Sequence, residues 1–137
     1  MNDQYIQVNA FCDKFSINGQ LYIEPQLSQH PSLQILAPSA LNTIRIITVL
    51  RLNKKVDIVS ATLRISIDSD TDNFSTGNLA AAIDLGTGLV VSHGIKRMAA
   101  CSSLYEKHPV TDVRILGFQL PFWIQIISIV KEAALII

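Results

Sequence analysis

Charge is scarce in this 137-residue sequence: 16% of its residues are Asp, Glu, Lys or Arg, against about a quarter in ordinary soluble domains. The 11 basic residues balance the 11 acidic ones, so no electrostatic excess is on offer for gripping nucleic acid. A surface so poor in charge is expected to be covered partly by something else. Cysteine is scarce too. Cys12 and Cys101 lie far apart without C-x-x-C spacing, which fits two reduced, buried thiols in a cytoplasmic protein. The start, MNDQYIQVNAF, has neither the basic stretch nor the apolar core of a signal peptide. An uninterrupted apolar run is also missing: residues 115–137 come closest, but Pro121 divides them, and Lys131 and Glu132 sit inside. That segment is expected to be a short strand followed by a core helix, not a membrane span. The phosphate-binding G-x-x-x-x-G-K-[ST], the dinucleotide G-x-G-x-x-G, the hydrolase G-x-S-x-G and the metalloprotease H-E-x-x-H are all absent.

Hydrophobic residues make up 49% of the chain, enough for one well-cored domain, while the length is too short for two. Residues 4–15 suggest a short helix, followed by an Asn18-Gly19 turn and a short strand broken by Pro25. PSLQILAPSAL, 31 to 41, reads as a helical turn or two between prolines. Two long strands are clearest: TIRIITVLRL, 43 to 52, and VDIVSATLRISI, 56 to 67, both rich in β-branched residues. In the second, Val59, Ala61, Leu63 and Ile65 are expected on the core face, with Ser60, Thr62, Arg64 and Ser66 opposite. A hairpin loop of two or four residues around Lys54-Lys55 would set Arg45 directly across from Arg64, and two adjacent guanidiniums repel unless an anion lies between them. A three-residue loop would send them to opposite faces.

Further on, Gly86-Thr87-Gly88 is a hairpin turn between LAAAIDL and LVVSHGIKRM. VRILGFQL, 113 to 120, is expected as a strand, and Pro121 as the first-turn proline of a helix. Trp123, Ile126, Ile127, Val130, Ala134 and Ile137 give that helix an apolar face. The fold class is α+β: a mostly antiparallel sheet with a C-terminal covering helix. Asp68, Asp70 and Asp72 alternate as in a calcium loop, but the required glycine and closing glutamate are missing. His30, His93 and His108 have no metal-ligand spacing.

Seven stretches stand out in order: YIEPQLSQHP (22–31), NTIRIITV (42–49), LRI (63–65), DNFSTG (72–77), DLGTG (84–88), HPVT (108–111) and GFQLPFW (117–123). Together they resemble the sugar-transfer-associated branch of the ATP-grasp superfamily over nearly all of the chain after residue 20. The resemblance implies the C-terminal lobe of an enzyme that uses ATP and magnesium to activate a carboxylate as an acyl phosphate, which an amine or similar nucleophile then attacks. Such phosphoryl chemistry is catalysed chiefly by positioning and by cations around the transferred group.

By that resemblance Glu24 holds the nucleotide's adenine and ribose, Arg45 faces the phosphates, and Arg64 is its neighbour in cofactor binding. Asp72 and Asn73 match an acid–amide pair beside substrate or metal, so the resemblance implies Arg45, Asp72 and Asn73 as catalytic and Asp72 and Asn73 as magnesium ligands. His30, Asn42 and His108 match motif positions without an assigned role. Ser66, Asp68, Ser69, Asn78 and Asp112 stand where the family has glycines. Glycine-rich loops let backbone amides approach phosphates, so anion binding through the backbone is expected to be weakened.

The family also expects an upstream nucleotide lobe with a phosphate-reaching lysine, and a downstream strand carrying metal-binding acids. Residues 1–137 are therefore expected to be a partial ATP-grasp domain, inactive alone, with a nucleotide as partner in the full-length parent. The alternative expectation is a degenerate, non-catalytic interaction domain that self-associates through the uncovered sheet and terminal helix.

Overall fold

A computed structural model of the chain describes residues 27–97 and 103–136. The expected helix at 4–15, the Asn18-Gly19 turn, Glu24, Cys12 and Cys101 lie outside those residues.

Helix α1 (Pro31–Leu36) is the short helix expected between prolines, with Pro31 at its start. A five-stranded antiparallel sheet follows, ordered β1-β2-β3-β4-β5. Its strands are β1 (Ile44–Leu50), β2 (Val56–Ile65), β3 (Leu79–Ala82), β4 (Gly94–Lys96) and β5 (Ser103–Tyr105). Between β2 and β3 a single 3₁₀ turn spans Phe74–Thr76. Helix α2 (Trp123–Ala133) closes the described chain. The α+β architecture with a C-terminal helix on an antiparallel sheet stands as expected.

One face of the sheet is the core. Ala61, Leu63, Ile65, Leu79 and Ala81 pack with Leu33, Leu36 and Ala37 of the α1 region, with Val90, Ile115 and Leu120, and with Trp123 of α2. Ile126 and Ile127, one helical turn beyond Trp123, pack against the same cluster, so the apolar stripe of α2 faces where its spacing predicts. Trp123 reaches across to donate its indole N–H to the Leu85 carbonyl at 3.0 Å. Gly88 makes that seat possible: a Cβ there would lie 2.3 Å from Trp123 Cγ, and its φ is +74°.

The β1–β2 hairpin departs from both expected registers. Its tip is a tight turn, with Arg51 N–H donating to Lys55 O at 2.8 Å and Lys54 at φ +60°. Carried along a regular ladder, that turn would put Arg45 and Arg64 on opposite faces. It does not, because Ile47 pairs with Ser60 while the next residue, Thr48, pairs with Ile58. Val59 is therefore an extra residue, a bulge that reverses the in–out parity of β2. Val59 is 57% exposed, not in the core as simple alternation had it. Beyond the bulge Arg45 opposes Thr62, and Arg64 lies two positions further along, its N–H donating to Thr43 O at 2.8 Å. The two arginines share a face as diagonal neighbours, not as a directly opposed pair.

Two other expectations are corrected. Residues 113–120 do not form a regular strand. Gly117 at φ +83° and the Phe118 N–H to Ile115 O bond turn the chain there, leaving isolated bridges at Arg114 and Gln119. Pro121 precedes the N-cap of α2, Phe122, which itself adopts φ +56°; it does not sit in the helix's first turn. No helix among the described residues is long and apolar enough to cross a membrane.

Candidate functional site

The outer face of the sheet carries the polar side chains. Residues opposed across a ladder point the same way, so Arg45 on β1, Thr62 and Arg64 on β2, and Ala80 on β3 stand on one surface. Ala80 pairs with Ile95, which places Arg97, two residues on, on that surface as well. Over it arches the loop 66–78. Arg45, Thr62, Arg64, Ala80 and Arg97 with Asn73, Phe74 and Ser75 line a groove of about 410 Å³, within the roughly 300–1,000 Å³ of small-molecule sites.

Arg64 is the anchored member. Its Nη2 donates to Asn73 Oδ1 at 2.7 Å and to the Asp72 carbonyl at 3.2 Å, and lies 3.7 Å from Asp72 Oδ1. Its side chain is 17% exposed, and its Nε is buried with no hydrogen-bond partner. Asp72 is itself fixed: its Oδ2 accepts the Thr43 N–H at 2.8 Å and the Thr43 hydroxyl. Arg45 and Arg97 form no ion pair with a carboxylate among the described residues. Three guanidiniums thus border one groove, and the Asp72 carboxylate helps to hold one of them in place. That charge, and the planar fork each guanidinium presents to oxygens, suits an anion.

The loop gains its shape from Asn78, which the sequence marked only as a replaced glycine. Asn78 is buried; its Oδ1 accepts from Ile67 N–H at 2.7 Å and Ser69 Oγ at 3.0 Å, and its Nδ2 donates to the carbonyls of Thr71 and Asn73 at 2.8 and 3.1 Å. It pins both ends of the segment that carries Asp72 and Asn73. Two positions where the resemblance led glycine to be expected keep the backbone that glycine favours: Asp68 has φ +47° and Asp112 has φ +58°.

The three residues without an assigned role also find one. His30 caps α1, its Nδ1 accepting from Ser32 N–H at 3.3 Å. Asn42 and His108 form a buried polar hub with Ser66, described below. None of the three borders the groove.

Of the residues expected at a site, Arg45, Arg64, Asp72 and Asn73 come together; Glu24 lies outside the described residues. Magnesium does not fit Asp72 and Asn73 as they stand. Asp72 Oδ2 is bonded to Thr43, Asn73 Oδ1 to Arg64, and a guanidinium occupies the space between the two side chains. No group of three or more His, Cys, Asp or Glu side chains among the described residues is arranged to hold a metal. Phosphate oxygens suit the groove better, because Arg45 and Arg97 line it without a carboxylate partner among the described residues. Arg97 was missed in the sequence. Its signal was alternation from Ile95, readable only once the β3–β4 register is known.

No curated protein and no solved structure matches the chain. The profile of the sugar-transfer associated ATP-grasp family matches residues 13–137, nearly the whole length and inclusive of every groove residue. The antiparallel sheet with an open, arginine-bearing face agrees with that match, and the chain belongs to the sugar-transfer associated ATP-grasp family.

Proposed function

We propose that this chain supplies the phosphate-facing sheet of an ATP site in a carboxylate–amine (or similar) ligase acting through an acyl phosphate. The observation that carries the reading is the convergence of Arg45, Arg64 and Arg97 on one groove over the open sheet face. When bound, ATP supplies the phosphoryl group that activates the carboxylate. The chain's own residues orient the phosphates: Arg64 from a fixed position, Arg45 and Arg97 as exposed charges that close on the anion. Asp72 and Asn73 keep Arg64 aimed. The lining side chains among the described residues bind and orient but include no carboxylate or histidine to act as a general base, so the chain alone is inactive.

Calorimetric titration of ATP into the chain at low salt tests the first part. Saturable binding, weakened on the order of tenfold by Arg45→Met, is expected, since one charge-assisted contact is lost. Binding indifferent to Arg45→Met and Arg97→Met would remove the groove from the nucleotide site. ADP release above the buffer rate when the chain is mixed with ATP and candidate carboxylates would overturn the inactivity.

A second reading, a non-catalytic interaction domain, draws on the apolar side chains left open on α2 and just after it: Ile124, Ile129, Leu135 and Ile136. Contiguous exposed apolar surface favours association. Sedimentation velocity at high concentration decides it: a clean monomer sinks this reading.

A further inference from the structure

Arg64 sits where the acid–amide pair was expected to take a metal. Its Nη2 is within 2.7 Å of Asn73 Oδ1 and 3.7 Å of Asp72 Oδ1, and both side chains are further fixed by Thr43 and by the Asn78-pinned loop. A divalent cation bound by these oxygens would lie against a guanidinium whose positive charge repels it. The positive charge that a metal would bring to the phosphates is already present in the protein, on Arg64, Arg45 and Arg97.

Resting on the nucleotide-site reading above, we infer that this groove recognises a polyphosphate or phosphoryl anion through its guanidiniums directly, without a divalent cation, and that Asp72 and Asn73 are positioning residues for Arg64. The ligand class is a multiply charged phosphate: the tail of a nucleoside triphosphate or a free polyphosphate. The inference has two consequences. A magnesium-complexed triphosphate carries less negative charge, so it is the poorer ligand. Because Arg45 and Arg97 are exposed, their share of the attraction is screened by salt.

The test is calorimetric titration of inorganic tripolyphosphate, and separately of ATP, into the whole chain, once in EDTA and once in magnesium chloride at matched ionic strength. Binding in EDTA at least as tight as in magnesium is expected. Asp72→Asn is the discriminating variant, because it keeps an acceptor for Thr43 and removes a negative charge beside the groove. Binding in magnesium that is unchanged or tighter supports a positioning role, whereas loss of a metal ligand would weaken binding in magnesium and leave it unchanged in EDTA, which would overturn the inference. Arg97→Gln, at an exposed site outside the loop, is expected to weaken binding on the order of tenfold, with circular dichroism confirming the fold. It stands in should Asp72→Asn not fold. Weakening of the same order in EDTA supports the inference, and indifference overturns it. Tripolyphosphate binding in EDTA without ATP binding would point to a free polyphosphate as ligand and leave the metal-free mode standing. Binding that appears only with magnesium overturns the inference and leaves the nucleotide site intact. No binding in either condition, with the fold intact, overturns both.

Discussion

His108 Nε2 donates to the carbonyl of Ser66 at 2.7 Å, across 42 residues of sequence. The other ring nitrogen accepts the backbone N–H groups of Val110 and Thr111 at 3.3 and 3.1 Å, so the ring stands as the Nε2–H tautomer with every polar atom partnered. On the other side of Ser66, its N–H donates to Asn42 Oδ1 at 2.9 Å, while Asn42 Nδ2 serves Gln29 Oε1 and Ala37 O at 2.9 and 2.8 Å. This hub ties the end of β2, the α1 region and the 108–113 turn into one unit beneath the groove.

His108→Ala is therefore expected to destabilise the chain by about 3 kcal/mol, because it strands interior carbonyl and N–H groups. Asn42→Ala is expected to cost a similar amount. Urea denaturation measures both. A loss under about 0.5 kcal/mol, the range of ordinary surface changes, would show that the hub is not the tie described here.

Asn78→Ala removes the bonds that hold both ends of the 67–76 loop. A loss of about 2 kcal/mol is expected for its buried partners, together with faster hydrogen exchange at the Ile67 amide. Anion affinity should fall as well, although Asn78 does not line the groove, because Asn73 and Arg64 lose their fixed geometry. Unchanged affinity would separate the loop from the site.

Asp68 and Asp112 occupy left-handed backbone, a region that disfavours L-residues by roughly 1–2 kcal/mol, aspartate less than most. Asp68→Gly and Asp112→Gly are each expected to raise stability by about 0.5 kcal/mol after the added freedom of the unfolded glycine is counted. The Lys107–Asp112 ion pair at 2.8 Å is exposed and offsets little of that gain. A lower thermal midpoint for both variants would contradict the backbone argument.

Asp84 accepts both the Thr87 hydroxyl and the Thr87 N–H, at 2.7 and 2.8 Å, and these bonds hold its carboxyl below the ordinary value of 3.8. A carboxyl with a depressed folded value adds stability that is fully present above the unfolded value and fades as pH falls through the folded one. The stability difference between the chain and Asp84→Ala is thus expected to be flat above pH 3.8 and to close below it. A difference that widens on acidification would reverse the sign and the assignment.

Much of this was legible in the sequence because it depended on local pattern. The β-branched runs gave β1 and β2, Pro31 opened α1, and the Trp123–Ile127 spacing aimed α2 at the core. Residues 113–120 were misread because an apolar run with a turning glycine looks like a strand until its backbone partners are known. At the site, Arg45, Arg64 and the Asp72-Asn73 pair were visible as motif residues. What they do to one another was not, since the contact between Arg64 and Asn73 depends on a loop folded back by Asn78. Arg97 depended on a register between two short strands, which composition does not encode.

Val59 gives the first hairpin a length rule. Removing that one residue lets the ladder run straight from the tip, and either Leu63 and Ile65 or Val56 and Ile58 must then exchange inside for outside. The buried pair is the stronger anchor, so the tip would turn over and draw Val56 away from Leu85 and Ile127, with which it lines a cleft. Length changes in this strand are tolerable only in twos, or when the turn at Lys54 changes by one to match. A single-codon deletion there would be felt on both sides of the sheet, although the residue lost is itself in solvent.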